Sequence, residues 1–120
     1  MNKIRFKLPK SVRLCGKKQF DLLFKSGNKI QSKYFKIYYS NPKENSGKFA
    51  FVASKFLGKA VKRNAYKRRL RELYRLNQHQ ITKQYNMAFI AKKGLLEYQF
   101  NHMNKQFVQL LIRHKLTISL

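Results

Sequence analysis

Apolar side chains recur at helical spacing in three stretches of the chain, near residues 17–27, 59–77 and 97–115. In the first stretch, Phe20 lies three and four residues before Leu23 and Phe24, and Gly27 is suited to end a helix. The other two stretches carry the same kind of apolar stripe over more turns. Because such a stripe leaves one face to bury, the pattern predicts three amphipathic helices.

After the first helix the apolar pattern changes to a period of two, which is typical of a strand. One face of residues 33–40 is apolar, and the other combines two tyrosines with a lysine, namely Tyr34, Lys36 and Tyr38. A face of this kind can stack nucleobases and hold phosphates. It can equally be the half-covered face of a strand beneath a helix, with tyrosine hydroxyls reaching solvent. The pattern alone favours neither interpretation.

Two more strands are predicted at residues 48–53 and 85–91, with room for a further short strand near residues 28–32. Both faces of residues 48–53 are apolar, which predicts a central position in the sheet. The resulting order is helix, strand, strand, helix, strand, helix, without a composition change that would mark a domain boundary. This order predicts a single α+β domain over residues 1–120, with a small mixed sheet packed by helices.

The charge of the chain indicates the class of its partner. The 28 lysines and arginines outnumber four acidic residues, which gives a net charge of +24. Seven tyrosines, ten phenylalanines and a hydrophobic fraction of 43% indicate a packed core. A folded domain with this charge is expected to bind a polyanion, and nucleic acid is a better match than a membrane surface.

The termini and the single cysteine bear on location. Cys15 has no second cysteine with which to form an internal disulfide, as expected in a reducing cytosol. Residues 1–14 are basic but lack the apolar run of a signal peptide, and no stretch approaches membrane-spanning length. We therefore expect a cytoplasmic protein. Residues 1–14 are predicted to form an extended basic arm, which either lies against RNA or is a solvated terminus.

The second predicted helix divides into an apolar and a basic side. Tyr66, Leu70 and Leu73 share one side. The opposite arc, roughly 140° wide, carries polar and basic residues: Arg63, Asn64, Lys67, Arg68, Arg71 and Arg75. Such a helix is expected to bury its apolar stripe on the sheet and to leave its basic face in water.

The residues needed for catalysis by the protein itself are not grouped in the sequence. The four acids, Asp21, Glu44, Glu72 and Glu97, are far apart, so paired carboxylates for metal-assisted phosphodiester cleavage are not visible. The three histidines have no ligand spacing, and no phosphate-binding glycine motif is present. We therefore expect neither a catalytic residue nor a metal site in the protein, which favours binding over cleavage.

From Ser54 to Arg75 the chain resembles the protein subunit of bacterial ribonuclease P. The family pattern is Ser-Lys-Lys-x-Gly-x-Ala-Val-x-Arg-Asn-Arg-x-Lys-Arg-x-x-Arg, and ten positions match: Ser54, Lys55, Gly58, Ala60, Val61, Arg63, Asn64, Lys67, Arg68 and Arg71. The resemblance extends over nearly the whole chain, including the first helix, the strand at residues 33–40 and the strand that follows the basic helix. Two positions depart from it, because Phe56 and Ala65 stand where the family has cations.

The resemblance implies an α/β sandwich in which the basic helix connects two parallel strands by a left-handed crossover, against the usual right-handed rule. It also implies a division of labour within a ribonucleoprotein. The catalytic RNA subunit would carry the active site and the Mg²⁺ ions, and the protein would bind that RNA together with the 5′ leader of precursor tRNA. No other protein partner and no membrane are required.

These implications assign two sets of residues. The set expected to bind the catalytic RNA comprises Lys55, Lys62, Arg63, Asn64, Lys67, Arg68 and Arg71. The set expected to bind the leader, in a cleft between the first helix and the sheet, comprises Arg13, Phe20, Phe24, Tyr34, Lys36 and Tyr38. Aromatic stacking suits leaders of variable sequence because every base has a π-face.

Two other functions remain to be distinguished from this one. A structural RNA-binding protein of ribosomal type has a similar composition, and it would bind ribosomal RNA without affecting precursor tRNA processing. A self-sufficient nuclease would cleave RNA without an RNA subunit, and the scattered acids argue against it.

Overall fold

The computed structural model of the protein describes residues 13–14, 17–42 and 46–118. Within these ranges the chain forms three helices and four strands, in the predicted order and with the additional short strand: α1 (Lys17–Ser26), β1 (Asn28–Gln31), β2 (Phe35–Ser40), β3 (Phe49–Val52), α2 (Ala60–Asn77), β4 (Asn86–Ala91) and α3 (Phe100–Arg113). Single 3₁₀ turns precede α2, follow it and precede α3, at Lys55–Leu57, Gln78–Gln80 and Lys93–Leu96.

The four strands form one mixed sheet in the order β1-β2-β4-β3. The β1–β2 and β2–β4 pairs are antiparallel, and β3 pairs with β4 in parallel, with α2 as the crossover between them. This arrangement confirms the predicted α+β sandwich. The left-handedness of the crossover stays a prediction from the family resemblance.

The predicted central position of β3 is wrong, because β3 is the last of the four strands in the sheet. Its two apolar faces have a different origin. On one face Phe49 and Phe51 pack against Tyr74 of α2, with ring centroids 4.7 and 5.7 Å apart. On the other face Ala50 belongs to a small cluster beneath α1. Both faces are covered although only one edge of the strand pairs with another strand of the sheet.

The larger core lies between the sheet and the pair α2 and α3. Alternate residues of β2 and β4 point into it, including Phe35, Ile37 and Phe89. Phe89 contacts Phe107 of α3 with ring centroids 5.5 Å apart. This apolar layer holds both long helices against one face of the sheet.

A smaller core holds α1 on the opposite face. Leu14, Leu23, Ala50 and Ala88 are buried there, and Phe20 and Tyr38 pack against them at its border. Gly27 allows the close approach at the end of α1, because a Cβ atom there would meet the Leu23 carbonyl and lie 2.9 Å from the Tyr39 carbonyl oxygen. The sheet is therefore covered unequally, by two long helices on one face and by one short helix on the other.

The basic arm predicted for residues 1–14 falls almost entirely outside the described residues. Its last two residues run beside β3, where Leu14 N donates a hydrogen bond of 2.9 Å to Phe49 O. Among the helices in the described ranges, none is long and apolar enough to cross a membrane.

Candidate nucleic-acid interface

The short helix α1 carries an aromatic edge over the sheet. Leu23 points into the small core and is buried, whereas Phe20 is half-buried and Phe24 is 40% exposed. These Phe residues lie on the same side of the helix because they are four residues apart. Phe24 therefore keeps accessible surface, although α1 packs on the sheet through the same stripe.

The aromatic edge of α1 meets Tyr38 of β2. The rings of Phe20 and Phe24 are 5.9 Å apart at an interplanar angle of 28°, and the Phe24 and Tyr38 rings are 4.8 Å apart at 88°. These ring geometries are those of favourable aromatic pairs, so each ring holds its neighbour in place. The predicted grouping of Phe20, Phe24 and Tyr38 is therefore present in the structure, as a preformed cluster with accessible surface.

Lys36 lies two residues from Tyr38 on the same face of β2, as predicted. Across the sheet, Tyr38 pairs with Ala88 of β4, which pairs with Ala50 of β3, and both alanines are buried. Lys36 pairs in the same way with Ile90 of β4, which pairs with Val52 of β3, and both of these residues are half-exposed. The sheet face therefore opens along β2, from an aromatic end under α1 to a more accessible end that carries a cation.

Sequence reasoning missed residues that complete this open end. Gln31 of β1 pairs with Lys36, and Lys92 Nζ donates hydrogen bonds to Ser32 O at 2.8 Å and Gln31 Oε1 at 3.4 Å. Only the strand register brings these residues together, because they lie about sixty positions apart in sequence. The basic character of Lys92 was visible, but nothing local linked it to Lys36.

The placement of Tyr34 with Lys36 and Tyr38 is wrong. β2 begins at Phe35, and the Tyr34 ring turns to the opposite side of the sheet, where it joins the larger core and is 5% exposed. Its hydroxyl lies 3.0 Å from Nε2 of His102 on α3, and its ring contacts Tyr98 edge-on at 5.2 Å. This hydrogen bond and the packing explain its burial, so Tyr34 is not part of the α1 cleft.

Arg13 also lies elsewhere than predicted. It forms a parallel β-bridge with Phe49, and its neighbour Leu14 is buried in the small core under α1. Because successive residues of an extended chain point to opposite faces, Arg13 is placed on the side of the sheet that α2 covers. Its exposed side chain stands at the β3 edge, and Leu14 is the residue of this segment that contributes to the cleft floor.

The second surface is α2, whose apolar stripe is buried as predicted. Tyr66, Leu70, Leu73 and Tyr74 are each at most 4% exposed. The Tyr66 hydroxyl donates a 3.2 Å hydrogen bond to Lys93 O, and burial raises the pKa of the Tyr74 hydroxyl. The helix is thus fixed along its length on the sheet and on the turn before α3.

The predicted RNA-binding residues lie on α2 and on the 3₁₀ turn that precedes it. Lys67 and Arg63 are half-buried, and five of the seven are exposed: Lys55, Lys62, Asn64, Arg68 and Arg71. The structure brings all seven onto one helix and its leading turn. They stand on the face of the sheet opposite to the α1 cleft, so the two predicted sites are separate.

Arg63 is held differently from its neighbours. Its Nε atom is buried and has no hydrogen-bond acceptor within the described part of the chain. A buried donor without a partner is costly, and an anionic oxygen is the acceptor that a guanidinium group prefers. Arg63 therefore combines a buried, unsatisfied Nε donor with a position on the basic side of α2.

Arg69 and Arg75 have partners within the protein. The Arg69 guanidinium donates to Tyr98 O at 3.3 Å and lies 5.5 Å from the centre of the Phe100 ring. Arg75 pairs with Glu72 at 2.8 Å, and the hydrogen bond and charge of Glu72 raise the pKa of Arg75. Arg69 therefore faces the start of α3.

The titratable groups do not assemble into a catalytic centre in the described part of the chain. Asp21, Glu72 and Glu97 lie on α1, on α2 and after the turn before α3. No group of three or more His, Cys, Asp and Glu side chains suited to a metal ion is found among the described residues. The chemistry that these surfaces offer is stacking and anion binding.

Comparisons with known proteins agree with this geometry. The family model described as Ribonuclease P matches residues 8–115. The ribonuclease P protein component of Streptococcus agalactiae is 31% identical over 104 residues, which covers 87% of this chain and 94% of that protein. The corresponding protein of Finegoldia magna is 34% identical over 87 residues, which covers 72% of this chain and 76% of that protein.

Solved structures show the same fold. The RNase P protein from Thermotoga maritima superimposes with a TM-score of 0.74 at 30% identity, over 84% of this chain and 96% of that one. The RNase P protein of Staphylococcus aureus gives a TM-score of 0.76 at 24% identity, over 89% and 98%. Since the family model spans most of the chain and the Streptococcus agalactiae relative covers nearly as much, this chain belongs to the ribonuclease P protein component family.

Proposed function

We propose that this protein is the RNA-binding subunit of a ribonuclease P ribonucleoprotein that removes the 5′ leader from precursor tRNA. The cytoplasm is the proposed place of this reaction. The observation that carries the proposal is the separation of two RNA-compatible surfaces on opposite faces of one sheet. One is the aromatic cleft under α1, and the other is the basic face of α2.

The basic face of α2 is proposed to bind the catalytic RNA subunit. Lys67, Arg68 and Arg71 are successive members of a helix face that is rigidly held by its buried side. Cations on such a face displace counterions from the phosphate backbone, which gives affinity without requiring a particular sequence. Arg63 adds a half-buried guanidinium on the same side of the helix, where its charge can attract phosphate.

The α1 cleft is proposed to hold the leader as a single strand. Phe24 and Tyr38 offer partly exposed rings on which bases can stack, and Lys36 lies further along the same strand for a phosphate. Phe20 supports the Phe24 ring from the same helix. Tyr34 and Arg13 are not part of this proposed site, because the structure places them on the other side of the sheet.

The cleavage step itself is proposed to belong to the RNA subunit, with Mg²⁺ held through RNA. The protein residues in the described ranges do not gather the carboxylates that a magnesium site in the protein would need. The contribution of the protein would be positional and electrostatic. It would neutralise phosphates of two RNAs that repel each other and would fix the leader relative to the catalytic RNA.

A leader-length titration tests this proposal. The cognate RNA subunit is combined with precursor tRNAs that carry leaders of increasing length, with and without protein, at low Mg²⁺ concentration. The protein should increase substrate affinity as the leader lengthens and then have no further effect once the cleft is filled. It should have little effect on mature tRNA, which has no leader to stack.

Three outcomes would count against the proposal. A gain in affinity that does not depend on leader length would exclude the cleft as the leader site. Tight binding to ribosomal RNA without any effect on precursor tRNA cleavage would favour a structural protein of ribosomal type. Cleavage by nuclease-treated protein without the RNA subunit would place the active site in the protein.

A further inference from the structure

A fully exposed phenylalanine stands at the leading end of the basic helix. Phe56 is 99% exposed and Val61, in the first turn of α2, is 84% exposed. A large aromatic side chain in water forgoes the free energy that burial would provide. Such exposure at a position surrounded by lysines calls for an explanation other than the packing of this chain.

The backbone on either side of Phe56 is held in place, and the Phe56 side chain lies in solvent. Leu57, the next residue, packs against the larger core, and Leu57 N and Gly58 N donate hydrogen bonds of 3.1 and 3.2 Å to Ser54 O and Lys55 O. Gly58 then adopts φ of +124°, a conformation that side-chain-bearing residues rarely adopt. The single 3₁₀ turn is therefore anchored by Leu57 and closed by Gly58, so the backbone that carries the Phe56 side chain is fixed.

The charge around Phe56 indicates what covers it. Lys55, Lys59 and Lys62 are exposed on the same turn and on the first turn of α2. The aliphatic part of Lys62 lies over Gly58, where its Cδ would be 3.3 Å from an added Cβ. A second copy of this chain would bring the same lysines against these, and the chain has only four acids with which to balance them.

The area of the patch also argues against a protein partner. A Phe side chain supplies roughly 150–250 Å², whereas a stable protein interface buries about 800 Å² on each partner. An aromatic ring beside several cations has the composition of a single-strand RNA contact, in which a base stacks and phosphates are neutralised. A single unpaired nucleobase matches the size of the exposed ring.

We propose that Phe56 stacks on an unpaired base of the catalytic RNA and thereby replaces a charge contact by a stacking contact at the leading end of α2. This inference rests on the proposed function, because the RNA is the partner assigned there to the basic face. Compared with a family member that has a lysine at this position, this chain should bind the RNA with a weaker salt dependence. The stacked base would supply the affinity that the missing cation does not, and salt does not screen a stacking contact.

A sole tryptophan provides a direct test, since the chain has none of its own. Phe56→Trp keeps an aromatic platform and reports its environment by fluorescence. Addition of the cognate RNA subunit should quench the emission and protect it from acrylamide. The matched control is Ile112→Trp, at an exposed position of α3 outside the proposed interface, whose emission should be unchanged.

A second pair of variants measures the contribution to affinity over a range of salt concentrations. Phe56→Ala should weaken binding about fivefold or more, as expected for one lost stacked base, with the same slope against log salt. Phe56→Lys should steepen that slope by about one unit, as one more phosphate contact requires. Ile112→Ala should change neither the affinity nor the slope.

The results separate this inference from the proposed function. If the wild-type protein fails to stimulate cleavage by the RNA subunit, the proposed function is wrong. If it stimulates cleavage but Phe56→Trp emission is unaffected by saturating RNA, or Phe56→Ala binds as wild type does, stacking at Phe56 is wrong. Conversion of a dimer to a monomer by Phe56→Ala, without a change in RNA affinity, would assign the ring to a second copy and overturn the inference.

Discussion

The α1 cleft and the α2 face differ in what they expose, although each is built by a helix that packs on the same sheet. α2 buries the stripe formed by Tyr66, Leu70, Leu73 and Tyr74 and exposes cations on its other side. α1 buries one leucine and leaves Phe24 at 40% exposure. A helix of eighteen residues has enough apolar contact to bury its stripe fully, whereas the ten-residue α1 leaves part of its stripe accessible.

This difference gives the two surfaces different physical dependences. Binding through cations releases counterions and weakens steeply as salt rises. Binding through stacked rings depends on contact area and is much less sensitive to salt. Salt titration of matched variants can therefore assign each contact to one surface, and the expected effects decrease in the order given below.

The largest effect is expected from the α2 face. Replacing Lys67, Arg68 and Arg71 together by alanine should weaken binding of the RNA subunit by more than about tenfold and lower the salt slope by about two to three units. Titrations of fluorescently labelled RNA at several salt concentrations measure both quantities. At protein concentrations at which the triple variant still binds the RNA subunit, substrate affinity should still increase with leader length.

A charge-matched control separates this local effect from net charge. Lys83, Lys105 and Arg113 are exposed cations outside α2, so their joint replacement by alanine removes the same charge. The control should lose much less affinity. Equal losses in the two triple variants would mean that the net charge of the protein, and not the face of α2, determines binding.

The next largest effect is expected from Phe24→Ala in the cleft. Loss of one stacked base, about 1–3 kcal/mol, should weaken binding of leader-bearing precursor tRNA at least fivefold and spare mature tRNA. The salt slope should be unchanged. Leu22→Ala, an exposed position on the other side of α1, is the control. A steeper or shallower slope for Phe24→Ala would contradict the distinction between the two surfaces.

The sequence was sufficient for the elements and for the anchoring of α2, because periodicity reports directly on which side of an element is buried. Tyr66, Leu70 and Leu73 are buried as the pattern predicted. The extra strand β1 was also anticipated. The order in which the strands lie side by side could not be predicted. Two apolar faces show that a strand is covered on both sides, but they say nothing about its edges. This is why β3 was misplaced.

The errors in the set of residues predicted to bind the leader have a related cause. Tyr34 precedes β2 by one residue, and a residue before a strand can turn to either face without breaking the alternation that follows it. Arg13 could be assigned to a face only once its pairing with Phe49 was known. Lys36 and Tyr38 lie within the strand and were placed correctly, because alternation is enforced there by the ladder.

A smaller effect is expected at Tyr34 itself, and it tests the corrected placement. Tyr34→Phe removes the hydroxyl that lies 3.0 Å from His102 Nε2. The free energy of unfolding should fall by about 0.5–1.5 kcal/mol, the net worth of one such hydrogen bond. Urea unfolding measures this change. The affinity of Tyr34→Phe for leader-bearing substrate should be unchanged, whereas Tyr38→Ala should reduce this affinity. If Tyr34→Phe lost affinity for leader-bearing substrate only, Tyr34 would have to be part of the α1 cleft.

The smallest effect is expected at Glu72, the only acid of α2. Its 2.8 Å pair with Arg75 lies in solvent, where ion pairs contribute little to stability, so Glu72→Gln should leave the urea midpoint unchanged. The variant should nevertheless bind the RNA subunit slightly more tightly at low salt, because a negative charge leaves the basic face and Arg75 becomes available to phosphate. This gain should vanish at high salt, where screening removes both contributions. Weaker binding by Glu72→Gln at low salt would show that Glu72 orients Arg75 towards the RNA, and that the basic face depends on geometry as well as charge.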